Sequence, residues 1–243
     1  MNPIEIIPLA VPAFYLIAFF SEGNFEVRKF PTVKSWKKIG FIFFILLLLM
    51  SLVVPLILPM IWFEANSLFK LEASYGIDIL IGLLLSTFCT YWFHRAEHHW
   101  DVMWKSFHQI HHSAERVDIA GAFYTHPFEP LAKMTIGAVV SIFVLGLNPI
   151  PTVIVSTIAG LLSIFQHWNI KTPYWLGFII PRPESHCLHH EVNIHARNYG
   201  DLPIWDMLFG TYNNPKSLQE IKVGLGGNKL GQLKKMLLMK LVD

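Results

Sequence analysis

The chain has 243 residues, of which 53% are hydrophobic and only 15% are charged. Soluble domains carry roughly 25% charged residues, so this composition indicates a membrane protein, and the length suits a single domain. The net charge of +2 comes without a basic stripe and excludes a nucleic-acid partner. The two cysteines, Cys89 and Cys187, form neither a disulfide framework nor a CxxC motif.

The chain contains five apolar runs, which we compare with the length of a membrane-spanning helix. Since a helix needs about 20 residues to cross a bilayer, we expect an all-α, multi-pass transmembrane bundle of about 4–5 spans. Pro55 and Pro59 are expected to kink the second run near its end. Residues 148–151 are expected to form a tight turn between the last two runs. The runs cover residues 4–20, 39–63, 77–93, 134–147 and 150–166.

Basic residues in the loops predict the orientation of these runs. Segment 21–38 carries five Lys or Arg residues, loop 64–76 carries only Lys70, and the regions after 93 and after 166 are again basic. The N-terminus is therefore expected outside, and both long hydrophilic segments are expected in the cytoplasm. The last two runs return the chain to one side whether they cross or form a re-entrant hairpin. This topology fits a bacterial inner membrane, or the ER membrane in a eukaryote.

Histidine clusters are the strongest chemical signal in the sequence. Positions i, i+3 and i+4 of a helix share one face, so "HRAEH", "HQIHH" and "HCLHH" are each expected to form a half-site of two or three imidazoles. Neutral imidazole suits Fe, Zn, Cu or Ni. Eight imidazoles exceed the four ligands of tetrahedral zinc, so we expect two ions. A proton relay or pH-sensing patch is the alternative, but it leaves the repeated H-x2-H-H spacing unexplained. The eight residues are His94, His98, His108, His111, His112, His186, His189 and His190.

These groups match, in order, HX3H, HX2HH and HX2HH boxes, and the pattern resembles the fatty acid hydroxylase/sterol desaturase superfamily of integral membrane non-haem di-iron enzymes. "THPFE" at 125–129, "QHWN" at 166–169 and "NYGDLPIWDMLFGTY" at 198–212 extend the resemblance. It implies a cytoplasmic helical cap that holds a histidine-rich dimetal site. It also implies two Fe ions, which zinc can replace during purification, and O2 as co-substrate.

The resemblance divides the chain into three parts. These are an N-terminal transmembrane pair (1–76), a catalytic domain of the fatty acid hydroxylase type (77–212) and a C-terminal tail (213–243). Leu and Lys residues alternate along 229–241, so the tail is expected to form an amphipathic helix that lies in the cytoplasmic leaflet.

Further residues are candidates outside the boxes. The resemblance implies that His167 is a ligand, the alternative being a histidine that caps a helix end. His126 precedes Pro127 and so lies on a loop, where ligand and structural roles are both open. His99 points away from the face of the first box and is expected to be replaceable, while His195 is expected to face substrate or to be structural. Ligand imidazoles need acceptors for their second N–H group, and four carboxylates are candidates. They are Glu97, Asp118, Glu129 and Asp206.

The resemblance implies an oxidoreductase that hydroxylates an unactivated C–H bond of a fatty acyl, sterol or related lipid. A sterol or lipid desaturase is the alternative. A non-enzymatic membrane metal-binding protein is more distant, because the apolar runs are nearly free of the ionisable residues of a transport path. The sequence has no haem C-x-x-C-H, no iron–sulfur cysteine set and no G-x-G-x-x-G. Electrons are therefore expected from a partner such as cytochrome b5, a ferredoxin or an NAD(P)H reductase.

Overall fold

A computed structural model describes residues 2–194, 196–217, 220–227 and 229–242. Within these ranges the protein is helical and has no β-strand, apart from a single antiparallel bridge between Glu191 and Val223. This confirms the all-α fold class. The helices are α1 (Pro3–Asn24), α2 (Trp36–Ile57), α3 (Met60–Ala65), α4 (Tyr75–His99), α5 (Gln109–His112), α6 (Phe128–Ala138), α7 (Pro149–Phe165), α8 (Pro183–His189), α9 (Pro203–Phe209) and α10 (Leu233–Leu237).

Three helices of the described residues are long and apolar enough to cross a membrane. They are α1, α2 and α4, with 22, 22 and 25 residues. At a rise of 1.5 Å per residue each exceeds the roughly 30 Å of a hydrocarbon core. The other two predicted spans are shorter: α6 continues through a π-helical turn at Val139–Val144, and α7 has 17 residues.

The second apolar run is broken at its prolines, where a kink was expected. Pro55 lies inside the last turn, the helix ends at Ile57, and α3 begins after Pro59. A proline lacks the N–H that a helix interior requires, so the two prolines turn the chain here rather than bending a continuous helix.

Helix α7 packs closely against two of the long helices at glycine residues. A Cβ atom at Gly82 of α4 would lie 3.0 Å from Val155, and one at Gly160 of α7 would lie 3.0 Å from Val11. Small residues at helix interfaces are typical of membrane bundles, because they let backbones approach closely. Helix α7 therefore lies alongside α1 and α4.

Helix α4 is longer than its apolar run. It begins after Ser74, whose hydroxyl accepts from the amide of Ile77, and continues to His99. Residues of the first box thus extend the helix instead of following it. This continuity fixes the box at the end of a long, apolar helix.

An aromatic core joins the N-terminal helices to the second box. The rings of Tyr15 and Phe44 stack with centroids 3.8 Å apart, and Ile110 and Ile164 belong to the same buried cluster. Ile110 lies between His108 and His111, so burial of this core positions the second box. Met236 of the tail is fully buried in it as well.

The expected long amphipathic helix of the tail is wrong in extent. A 3-10 turn at Leu230–Gln232 leads into the five residues of α10. The tail then returns to α5, where the Gln109 amide donates to Lys240 O at 2.9 Å and accepts from Val242 N at 2.8 Å. Burial of the tail against the core and the two hydrogen bonds of Gln109 therefore outweigh the tendency of the tail sequence to form a longer helix.

Candidate metal centre

Nine histidines gather in two neighbouring clusters. Within each cluster, one ring nitrogen from every histidine lies within 4.8 Å of the others. All of these rings are buried except that of His98, which is half-buried. The five-histidine cluster comprises His94, His98, His108, His112 and His189, and the four-histidine cluster comprises His111, His167, His186 and His190.

Four helices bring these side chains together. The end of α4 carries the first box, and the second box begins at His108 of the π-helical turn Trp104–His108 and continues in α5. His167 follows the last residue of α7 by two positions, and α8 carries the third box. π-Helical turns are rare and frequent at functional sites, and this one ends at a cluster histidine.

Each H-x2-H-H box is divided between the clusters, so the expectation that one box forms one half-site is wrong. His108 and His112 enter the five-histidine cluster, but His111 enters the other. In the third box, His186 and His190 share a cluster and His189 crosses over. The reason is angular: residues i and i+4 differ by about 40° around a helix, whereas i+3 lies on the other side of i.

The Nε2 atoms of neighbouring rings face one another at very short distances. In the five-histidine cluster, His108 Nε2 lies 2.9 Å from His94 Nε2 and 3.0 Å from His112 Nε2. In the other cluster, His167 Nε2 lies 3.1 Å from His111 Nε2 and 3.0 Å from His186 Nε2. Such contacts are either hydrogen bonds or lone pairs directed at a common point.

Hydrogen bonds at the opposite nitrogens decide this for several rings. Nδ1 of His94 lies 2.7 Å from Tyr199 O, and Nδ1 of His167 lies 2.7 Å from Ser163 O. A carbonyl oxygen only accepts, so each Nδ1 must carry the hydrogen, which leaves a lone pair on Nε2 of a neutral ring. His189 is fixed in the same way, at 2.7 Å from Arg197 O.

The pair His94 and His108 gives the clearest case. Oε1 of Glu129 lies 3.1 Å from His108 Nδ1, and a carboxylate favours a hydrogen on that nitrogen. Both Nε2 atoms then present lone pairs to each other at 2.9 Å. Two buried lone pairs at this distance repel each other unless a cation lies between them.

Burial also keeps the rings in the protonation state that metal binding requires. It lowers the pKa of His111, His112, His186 and His190 well below the usual value, and neighbouring imidazoles add to this. Burial lowers the pKa of His167 to about 4. Metal ligands must be deprotonated, so these neutral imidazoles are suitable donors.

The spacing of the nitrogens fits donors that could share a metal ion. Two nitrogens at ~2.1 Å from an ion lie about 3.0 to 3.4 Å apart. The Nε2–Nε2 contacts of 2.9 to 3.1 Å are close to this range. The donor set of neutral imidazoles therefore fits first-row transition metals.

Two of the four candidate carboxylates lie beside His108. Glu129 also pairs with Lys133 at 2.5 Å and with the hydroxyl of Thr125. Glu97 is fully buried, and its Oε2 lies 3.8 Å from His108 Nδ1. Glu129 is thus the carboxylate that contacts an imidazole directly, as the sequence suggested.

Asp206 acts on the backbone instead of on a ring. Its carboxylate accepts from the amides of Tyr199 and Gly200 at 2.8 Å each and from the hydroxyl of Thr211. The Tyr199 carbonyl is the acceptor for His94 Nδ1. Asp206 therefore positions the five-histidine cluster through one intervening peptide.

Two candidates lie away from both clusters. Asp118 accepts from the indole of Trp36 at 2.9 Å and from the amide of Gly121, so it joins α2 to the loop after the second box. His126 accepts from the amide of Phe128, and its other nitrogen faces Leu237 O. The predicted contact of Asp118 with a ligand imidazole is wrong, and His126 is not brought into the centre.

The remaining two histidines are His99 and His195. His99 is exposed at the end of α4 and outside both clusters, consistent with the prediction that it is replaceable. His195 lies outside the described residues.

The features that sequence reasoning missed are mostly backbone atoms. The carbonyls of Ser163, Arg197 and Tyr199 fix three rings, and a carbonyl leaves no trace in residue type. Lys133 was also missed, although its spacing of four residues from Glu129 is the usual signal of a helical ion pair.

Known proteins were compared with the chain. The ornithine lipid hydroxylase OlsE of Rhizobium tropici is 29% identical over 157 residues, which cover 63% of this chain and 46% of that protein. The sphingolipid C4-hydroxylase of Schizosaccharomyces pombe is 33% identical over 131 residues, covering 52% and 45%. A very-long-chain aldehyde decarbonylase of Oryza sativa is 27% identical over 141 residues, covering 56% and 55%. The chain thus spans about half the length of these relatives.

No solved structure gives a significant match to the chain. The family model described as "Fatty acid hydroxylase" matches residues 79–211, which is more than half of the chain and includes every residue of both clusters. The match begins within α4 and ends after α9, so it contains α5, α7, α8 and the part of α4 that carries the first box. This chain belongs to the fatty acid hydroxylase family.

Proposed function

We propose that this protein is a membrane-bound, O2-dependent lipid hydroxylase that uses two iron ions. The observation that carries the proposal is the contact of His94 with His108, two buried Nε2 atoms 2.9 Å apart at the end of a helix long enough to span a membrane. Membership in the fatty acid hydroxylase family supports the reaction class.

In this proposal the five-histidine cluster holds one ion and the four-histidine cluster the other. Imidazole nitrogen suits iron, and zinc acquired during purification would occupy the same donors. Bound iron supplies the reductive activation of O2, chemistry that amino-acid side chains lack. Hydroxylation of R–H by O2 consumes two electrons and two protons and yields R–OH and water.

The chain's own residues orient and shield the centre. The carbonyls of Ser163, Arg197 and Tyr199 hold three rings with Nε2 facing inward, and Glu129 does the same for His108. Burial of the rings excludes water, which would otherwise quench reactive species before they meet a C–H bond. The electrons come from an external donor such as cytochrome b5, a ferredoxin or an NAD(P)H reductase, because the sequence has no motif for haem, iron–sulfur or dinucleotide binding.

The substrate class follows from position and family. The centre lies at the end of α4, so a lipid reaches it from the leaflet that surrounds this helix. The relatives named above are, by their names, enzymes of an ornithine lipid, of sphingolipids and of very-long-chain aldehydes. We infer a lipid with a long acyl chain, oxidised on the cytoplasmic face of the membrane. Two of the three relatives are named hydroxylases, which favours hydroxylation over desaturation.

Lipid mass spectrometry under 18O2 tests this function. Cells that express the protein should contain a lipid that has gained one 18O atom, and cells that express His108→Ala should lack it. The exposed His99→Ala variant is the matched control and should retain the product. A lipid that has lost two hydrogens would instead identify a desaturase. Bound metal without any altered lipid would contradict an enzymatic role.

A further inference from the structure

Helix α9 packs against the middle of the long helix α4 rather than against its end. The indole of Trp205 donates to Thr87 Oγ1 at 2.9 Å, and its ring lies 5.0 Å from that of Phe88. Thr87 is six residues before Phe93, where the apolar run of α4 ends. At 1.5 Å per residue this contact lies about 9 Å along the helix from that end. If α4 spans the membrane, α9 lies beside a part of it that is inside the bilayer.

The outward face of α9 is apolar and exposed. Ile204, Met207, Leu208 and Phe209 are 42%, 38%, 64% and 39% exposed. The single charged side chain of the helix, Asp206, is 2% exposed and accepts hydrogen bonds from the backbone beneath it. A solvated helix of a soluble protein would direct its charge outward, so this pattern is inverted.

The same face continues onto α4. Phe209 contacts Trp92 with ring centroids 4.9 Å apart, and Trp92 is itself 41% exposed. Docking surfaces for soluble electron carriers normally offer charges to their partner, and the outward face of α9 offers none. A hydrocarbon layer requires none. We propose that the outward face of α9 is embedded in the apolar layer of the membrane, so that the chain re-enters the bilayer after its third histidine box.

A neighbouring turn marks the level of the lipid head groups. Tyr212, which follows α9, donates its hydroxyl to Gly177 O at 2.8 Å in the 3-10 turn Tyr174–Phe178. Trp175 of this turn is 60% exposed, and Lys216 Nζ lies 6.0 Å from the centre of the Tyr174 ring. Trp, Tyr and Lys concentrate at the membrane–water boundary. The turn therefore lies at that boundary and α9 lies deeper.

Embedding of α9 connects the membrane to the histidines. The outward side of the helix meets lipid, while Asp206 on its inward side holds the Tyr199 peptide that fixes His94. The depth of α9 in the leaflet thus sets the depth of the five-histidine cluster. This inference rests on packing and exposure, and it holds whichever metal or reaction the centre supports.

Spin-label accessibility in phosphatidylcholine–phosphatidylglycerol vesicles tests this inference. The parent variant is Cys89→Ala, which retains the buried Cys187, because burial raises the pKa of that thiol to about 11 and makes it unreactive. A nitroxide on Leu208→Cys is compared with one on Leu80→Cys, exposed on α4, and one on Lys171→Cys, exposed in a loop. Collision rates with O2 and with chromium oxalate are measured for each label.

The Leu208 label should match the Leu80 label, with frequent O2 collisions and a chromium oxalate rate several-fold lower than at Lys171. A Leu208 label as accessible to chromium oxalate as the Lys171 label would overturn the proposal. Shielding from both reagents would overturn it as well, since it indicates a protein contact. Met207→Cys provides a second position on the same face, and circular dichroism verifies that each labelled protein is folded. None of these outcomes depends on lipid oxidation, so the test is separate from that of the proposed function.

Discussion

The tautomer of each histidine determines what the centre can bind. An imidazole whose Nδ1 donates to a carbonyl can offer only its Nε2 lone pair, and His94, His167 and His189 are all fixed in this way. The Nε2 atoms of these rings point inward, where short Nε2–Nε2 contacts would be repulsive without a cation. Ring orientation therefore precedes metal binding and depends on groups that touch no metal.

Replacing His167 or His126 by alanine tests whether each is a metal ligand, a question that the sequence alone left open. We expect His167→Ala to lose the ion of the four-histidine cluster, because its Nε2 lies within 3.1 Å of both His111 and His186. His126→Ala should keep the full metal content. Plasma mass spectrometry of purified protein measures the metal-to-chain ratio. Equal loss in both variants would contradict the assignment.

Removing the carboxylate beside His108 should weaken metal binding without removing a ligand. Glu129→Gln keeps the shape of the side chain but lowers its ability to hold the hydrogen on His108 Nδ1. Loss of such a partner typically costs about 10- to 100-fold in metal affinity. Competition with a chelator measures this affinity, and Glu64→Gln, an exposed carboxylate on α3, is the control. An unchanged affinity in Glu129→Gln would show that the contact has no role in binding.

The residue types of the centre were largely predictable, but their partners were not. Box spacing gave eight histidines and the resemblance gave His167, and all nine lie in the clusters. Asp118, a candidate acceptor, and His126, whose role the sequence left open, contact the N-terminal and C-terminal parts of the chain, because sequence position does not reveal the direction of a loop side chain. Carbonyl acceptors have no residue signature.

At the scale of single elements, the helical boxes distribute their histidines between two clusters. The i and i+4 members of a box share a cluster, and the i+3 member joins the other. Because the second and third boxes exchange their i+3 members, His111 and His189, each cluster depends on both α5 and α8. The two clusters are thus connected through shared helices.

Two double variants test the division of the boxes between the clusters. Both change His112, and they differ in whether His189 or His190 is changed with it. His112→Ala with His189→Ala removes two donors of one cluster, so one ion should remain per chain. His112→Ala with His190→Ala removes one donor from each cluster and should reduce both occupancies. Metal-to-chain ratios during chelator titration distinguish the two patterns, and circular dichroism in detergent verifies the helical content. Identical titration curves would contradict the division.

The sequence predicted where the apolar helices lie but not where they end. Apolar runs located α1, α2, α4 and α7, since hydrophobic length is a direct consequence of bilayer thickness. The extension of α4 through its polar box was missed, because burial of His94 and Glu97 replaces the apolar signal there. The tail was misjudged for the converse reason, since its apolar residues are used in the protein core.

At the scale of the whole molecule, parts far apart in the chain support the centre. The aromatic core of α1 and α2 holds the second box from one side. The tail holds it from another, through Gln109, and the amide of Gly224 donates to His190 O at 3.0 Å. Segments outside the family match, 79–211, therefore contribute to the geometry of residues within it.

Breaking the contact of Gln109 with the tail should destabilise the protein. Gln109→Leu leaves Lys240 O and Val242 N without their partner, at a cost of about 1–3 kcal/mol in the free energy of unfolding. Thermal unfolding in detergent, followed by circular dichroism, should therefore give a lower Tm. Gln232→Leu is the control, because the side-chain oxygen of Gln232 accepts from the exposed Lys235 Nζ at 3.4 Å. Equal Tm values for the two variants would indicate that the tail does not brace the centre.

The central claim is that the nine clustered histidines hold two metal ions. Anomalous diffraction from crystals of the purified protein, collected at the absorption edge of the bound metal, tests it most directly. We predict two anomalous peaks per chain, one within the five-histidine cluster and one within the four-histidine cluster. A single peak, or peaks outside both clusters, would contradict the account.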